Sequence, residues 1–237
     1  MSMKKAALVS LLCVSSFICG LSAQITPGTV LPVMLVTPIN SATSKPGQRI
    51  VGKIMEDIPL PDNGRVPNGT TVIGEVVAVT AATKEQGARL SFRITRLEYR
   101  DARAEIKSNL RALASDIFVR SALIPISGTR DYAVEGWATE LIGGGVGNSA
   151  YGGGLTPLIG TPPCRGAVED NTNPQALWVF SPSACGIYGF RDRISIAHAG
   201  RTEPTGEITL AATKGNIKLA SRTGMLIRVD RSPARVE

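Results

Sequence analysis

Ala88-Arg89-Leu90-Ser91-Phe92-Arg93-Ile94-Thr95 is the first arm of the stretch that decides the fold. Tyr99-Arg100-Asp101 supplies a turn, and Arg103-Ala104-Glu105-Ile106-Lys107-Ser108-Asn109-Leu110-Arg111-Ala112 forms the second arm. Ala88, Leu90, Phe92 and Ile94 alternate with Arg89, Ser91, Arg93 and Thr95. Ala104, Ile106, Ser108, Leu110 and Ala112 alternate with Arg103, Glu105, Lys107, Asn109 and Arg111. A period of two over both arms predicts a β-hairpin from Ala88 to Ala112 with one buried and one wet face. The wet face then gathers Arg89, Arg93, Arg103, Lys107 and Arg111 as a possible anion-binding surface.

Outward from the hairpin the text stays β-like. Upstream, Thr29 to Thr37, Arg49 to Ile58 and Thr71 to Thr80 are β-branched or alternating runs. They are separated by Lys45-Pro46-Gly47, by Pro59-Leu60-Pro61-Asp62-Asn63-Gly64 and by Pro67-Asn68-Gly69. Between Ala112 and Leu123 strand and helix compete, because Ser115-Asp116 fits a helix cap while Ile117 and Val119 favour strand. Downstream, Tyr132 to Leu141, Ala176 to Phe180, Ile187 to Ile196, Gly206 to Ala211, Asn216 to Ala220 and Met225 to Val229 read as strands. Lys214-Gly215-Asn216 and Arg222-Thr223-Gly224 have the length of hairpin connections. Residues 143–175 interrupt this with Gly143-Gly144-Gly145, Gly152-Gly153-Gly154 and Pro162-Pro163, a loop or insertion. Its Gly145-x-Gly147-x-x-Ala150 fits a dinucleotide fingerprint only formally, since Tyr151 and three glycines follow where a helix is needed. The expected class is all-β, a β-barrel or sandwich of short antiparallel strands with one long Gly/Pro-rich loop.

Two lysines, Lys4 and Lys5, precede an apolar run that ends at Ser22-Ala23, the order of a secretory signal peptide. The expected organisation is a signal over residues 1–23 and a single β domain over 24–237. Cys19 follows the apolar run, but Phe17 and Ile18 stand where a lipidation site wants small residues. Of the 4 cysteines, Cys13 and Cys19 lie in the signal, leaving Cys164 and Cys185. In an oxidising compartment such a pair is expected to form a disulfide. The expected address is exported: periplasmic, outer-membrane-associated or extracellular.

Composition narrows the function. The chain of 237 residues is 43% hydrophobic and carries 25 Gly and 15 Pro, a globular composition rich in turns. Its formal charge of +7 falls by two when Lys4 and Lys5 leave. Aromatics are only 5%, which argues against the girdles of a membrane-spanning barrel and against a base-stacking platform. His198 is the only histidine, so a multi-histidine metal site is excluded, and Ser181-Pro182-Ser183 lacks a nucleophile elbow. No catalytic residue, metal ligand or cofactor is expected. A hydrolase built on His198 is the weakest alternative.

Gly28-Thr29-Val30-Leu31-Pro32-Val33-Met34-Leu35-Val36-Thr37-Pro38-Ile39-Asn40-Ser41, then Pro46-Gly47-Gln48-Arg49-Ile50-Val51-Gly52-Lys53-Ile54, resembles a known family. With Val66-Pro67-Asn68-Gly69-Thr70-Thr71-Val72-Ile73-Gly74-Glu75-Val76, it is similar to the β-barrel domain of TrbI-type proteins, the scaffolds of conjugal-transfer and type IV secretion channels. The resemblance covers the N-terminal third and implies a barrel in an envelope setting. The expected role is an exported, non-enzymatic envelope module, structural or protein-interacting, with a protein partner or self-association. The alternative is a binder of an anionic envelope polymer or nucleic acid through the arginine face.

Overall fold

The computed structural model describes residues 25–123, 141–143, 177–181, 184–190 and 194–230. Within them the chain is nearly all β, with one short helix. The strands are β1 (Val30–Leu35), β2 (Ile39–Asn40), β3 (Arg49–Ile54), β4 (Ile58–Pro59), β5 (Arg65–Val66), β6 (Thr71–Thr80), β7 (Arg89–Tyr99), β8 (Ala102–Glu105) and β9 (Ser108–Ala114). Helix α1 (Asp116–Ala122) follows, then β10 (Gly186–Tyr188), β11 (Ile194–His198), β12 (Glu207–Ala212), β13 (Lys218–Leu219) and β14 (Gly224–Val229).

One large sheet runs in the order β10-β9-β14-β1-β3-β6-β7-β12-β11, with β8 attached to β7. Every pairing in it is antiparallel except that of β10 with β9. The sheet curls until its ends meet: Leu110 of β9 donates its N–H to the carbonyl of Ala199, just beyond β11, at 2.9 Å. The result is a nearly closed, barrel-like sheet, with β2–β13 and β4–β5 as small separate ribbons. Curling removes most of the unpaired edge that an open sheet would present.

Alternation explains the interior. In β3 Ile50, Gly52 and Ile54 are buried while Arg49 is exposed and Val51 and Lys53 are half-buried. In β7 Leu90, Phe92 and Ile94 are buried, and Arg89 and Arg93 are exposed. These side chains meet Leu31, Val33, Ile208, Leu210 and Ile227 in the main core. A smaller cluster places Val119 of α1 against Val30, Ala112, Phe180, Tyr188 and Leu226. It covers the outer side of β9, so all seven residues of that strand are buried.

The hairpin from Ala88 to Ala112 needs correction at its second arm. Pairing with β7 extends only over Ala102–Glu105, with one further bond from the Ile106 N–H to the Thr95 carbonyl. From Ser108 the chain leaves β7 and inserts between β14 and β10. A strand paired on both edges and covered on both faces has no wet side, so its alternation of polar residues marks a buried polar row. Ala112 to Leu123 divides between strand and helix, with Ser115 capping α1 by accepting the Phe118 N–H at 3.4 Å.

Other boundaries shift. The run from Arg49 breaks after Ile54 and resumes at Ile58 in a separate ribbon. Ile187 to Ile196 is two strands, because β10 pairs with β9 and β11 with β12. Leu177–Phe180 forms a turn closed by the Phe180 N–H on the Leu177 carbonyl at 3.0 Å, and a single bridge pairs Phe180 with Ile142. The short connections after β12 and β13 join strands that pair elsewhere, β13 with β2 and β14 with β1 and β9. The segment expected to be a signal, most of the glycine-rich loop and most of the strand expected from Tyr132 lie outside the described residues.

Candidate functional site

The five basic residues expected on one face are distributed over four environments. Arg89 and Arg93 are exposed on β7, Arg103 is exposed on β8, Lys107 is half-buried in the link to β9, and Arg111 is buried in β9. Arg93 donates from Nε to Glu75 Oε1 at 2.6 Å. Strand register then sets Arg49, Glu75, Arg93 and Glu207 in one row across β3, β6, β7 and β12. Next to this row, Arg96 contacts Glu98 at 2.8 Å and Glu105 at 3.7 Å, and Arg49 reaches Glu98 at 3.8 Å. The outer face is therefore a lattice of alternating charge. Such exposed pairs stabilise by at most about 1 kcal/mol each, but they cancel the field that a row of arginines would project.

Arg93 and Lys107 still share one polar cleft of about 270 Å³ with Glu75, Thr95, Thr205 and Gly206. Lys107 Nζ donates there to Thr205 Oγ1 at 2.9 Å. The carboxylate of Glu75 lines the same cleft and opposes an anion.

Arg111 belongs to a polar cluster that alternation alone misassigns. Its Nε donates to the Ala184 carbonyl at 3.1 Å. Burial lowers its pKa, and the neighbouring charges of Arg228 and Arg201 lower it further. Arg201 is lowered mainly by burial and then by Arg228. Asn109, also on β9, donates from Nδ2 to Asp230 Oδ1 at 2.6 Å. Burial raises the Asp230 pKa, against the opposing pull of Asn109, Arg228, Arg201 and Lys107. Burial likewise raises Tyr188, whose hydroxyl donates to the Cys185 carbonyl at 2.7 Å and accepts its N–H at 3.1 Å. These bonds tie the segment around Cys185 onto the barrel wall. Cys164 lies outside the described residues.

His198 closes the β11–β12 connection. Its Nδ1 lies 2.8 Å from the Glu207 carbonyl and 3.1 Å from the Gly200 N–H, and its Nε2 lies 3.0 Å from Thr202 Oγ1. With a proton on Nδ1 the ring donates to Glu207 and accepts from Thr202; with it on Nε2 it accepts from Gly200 and donates to Thr202. The Nδ1-protonated form avoids setting a ring lone pair against the Glu207 carbonyl oxygen, and its bonds to Glu207 and Thr202 suit a turn-fixing role. Among the described residues no cluster of three or more His, Cys, Asp or Glu side chains is arranged to hold a metal ion.

A second concavity was not marked by any sequence motif. It holds about 210 Å³ between the β4–β5 ribbon and the end of the β7–β8 hairpin. Its walls are chiefly Ile25, Leu60, Val66, Pro67, Leu97 and Tyr99, with Ala102 and Ala104 as its β8 side. Arg65 and Arg103 are the charged residues lining it. It is apolar because two short elements leave a gap beside Leu97, a consequence of tertiary placement. No helix among the described residues is long and apolar enough to cross a membrane. No family model matches the chain, and no curated protein matches it.

Proposed function

We propose that this protein is an exported, non-enzymatic module of the cell envelope that works by holding a protein partner. The scaffold resemblance of Gly28 to Val76, the signal-like residues 1–23 and a Cys164–Cys185 disulfide belong to the same proposal. The observation that carries it is how the polar groups are used. His198 is committed to its own connection, and Arg93 and Arg96 are held by carboxylates. Among the described residues, β8 keeps an open edge with an apolar concavity beside it, a surface suited to contact.

Fractionation of the envelope followed by cross-linking in intact cells tests the reading. The protein is expected with the envelope or periplasm, in a discrete cross-linked species. A chain that stays monomeric, cytoplasmic and uncross-linked would overturn it. The anionic-polymer alternative draws on the exposed Arg89 and on the Arg93–Lys107 cleft. It requires retention on a polyanion that weakens steeply with salt. The charge-balanced face leads us to expect little retention at physiological ionic strength.

A further inference from the structure

The register of the β7–β8 hairpin fixes which way β8 turns its backbone. Arg96 faces Glu105, Leu97 faces Ala104, Glu98 faces Arg103 and Tyr99 faces Ala102. The same register places Ile106 opposite Thr95, where the Ile106 N–H donates to the Thr95 carbonyl at 2.8 Å. Inward bonding alternates along an antiparallel strand, so Ala104 and Ala102 also bond toward β7. Arg103 and Glu105 then turn their N–H and C=O groups away from it. No strand of the described residues lies on that side. An edge of this kind is a template for another extended chain.

Ala102 and Ala104 stand on the face of Leu97, toward the apolar concavity, and their small size leaves it open. Its volume of about 210 Å³ is below the roughly 300 Å³ at which small-molecule sites begin, and suits a single large apolar side chain. Arg103, between Ala102 and Ala104 on the strand and opposite Glu98 in register, is exposed and also lines the concavity. Arg65, bonded to Asp57 at 3.1 Å, and Arg103 are the charges at the concavity among the described residues. Arg100 adds a third exposed guanidinium, 5.3 Å from the Tyr99 ring centre.

We infer that β8 is a docking edge for an extended segment of a protein partner, one that alternates a large apolar residue with an acidic one. The segment pairs along Arg103 and Glu105, drops its apolar side chain between Tyr99 and Leu60, and sets its carboxylate against Arg103. The opposite charges of Arg103 and Glu105 deter indiscriminate edge pairing and favour one register. The inference rests on the interaction-module reading and names the chemistry of the partner.

The test uses the exported protein, residues 24–237, and the blocked, fluorescein-labelled peptide Thr-Phe-Glu-Val-Thr, followed by anisotropy. Binding is expected, and replacing the peptide phenylalanine with alanine or its glutamate with lysine should weaken it at least about tenfold. Arg103→Pro removes the outward-facing N–H together with the guanidinium and leaves the bonds toward β7, which an edge strand tolerates, so the melting temperature should hold while binding falls by a similar factor. Arg103→Lys should retain most of the binding. Absence of binding to the wild-type chain, or binding indifferent to Arg103→Pro, overturns the inference. Envelope cross-links that survive in Arg103→Pro would refute the docking edge and leave the interaction-module reading standing. Their absence from the wild-type chain would refute that broader reading.

Discussion

Arg111 and Arg93 look equivalent in the sequence, each an arginine between apolar neighbours, yet one is buried and the other exposed. The difference lies in what covers the strand. β7 has an open outer face, whereas the segment around Cys185 lies over β9 and bonds to Arg111 through the Ala184 carbonyl. Period-two alternation reports two faces and is silent about whether the second is covered. Asp230 shows the consequence for pH. Burial raises its folded pKa above the ordinary 3.8, so the folded state keeps a proton that the unfolded chain has released. Its contribution to stability is greatest at and below the unfolded value and declines as pH rises through the folded one. Asp230→Asn cannot ionise but retains an oxygen for Asn109. It should gain on the wild type as pH rises from about 4 to 7 in paired thermal melts. A difference that stays flat, or runs the other way, would show that the surrounding cations outweigh burial.

Among elements, β6 and β7 were the most legible, because they are long runs of ten and eleven residues rich in β-branched and alternating positions. Their pairing nevertheless contains register shifts at Ile73/Gly74 and Val76/Ala78. The first is fitted to Gly74, where a Cβ would collide with the Arg93 carbonyl. Alternation cannot announce such a contact, since the offending group lies on another strand. Helix α1 was half-legible: Ser115 and Asp116 mark its start, and the β-branched Ile117 and Val119 obscure it. Burial of Val119 and Ala122 decides for helix. Ser115→Ala removes the cap and should cost about 1 kcal/mol, read as a lower urea midpoint with an unchanged slope. Faster hydrogen exchange at Val119, relative to β3, would locate the loss in α1. An unchanged midpoint would mean that the 3.4 Å bond from Phe118 contributes nothing net.

At the scale of the molecule, the barrel sets neighbours that the order of the chain conceals. β14 joins β1 to β9, and β12 joins β7 to β11, so the last strands complete a wall begun by the first. The expected Cys164–Cys185 bond belongs to this scale. Mass spectrometry of the unreduced exported protein should find the two cysteines joined, and reduction should lower stability by roughly 3 kcal/mol for a closed loop of about 22 residues. Recovery of both as free thiols would remove the bond and weaken the case for an oxidising compartment. The sequence by itself determined the all-β class and the inward Leu90, Phe92 and Ile94 of β7, because hydrophobic period and turn chemistry act over a few residues. Only the tertiary structure decided that β9 leaves its hairpin and that Arg111 is buried. It alone showed that Glu75 holds Arg93 while Glu98 and Glu105 hold Arg96, and that β8 keeps an open edge beside an apolar concavity. Each of these depends on which distant strand becomes a neighbour, and that choice is made by closing the sheet around one core.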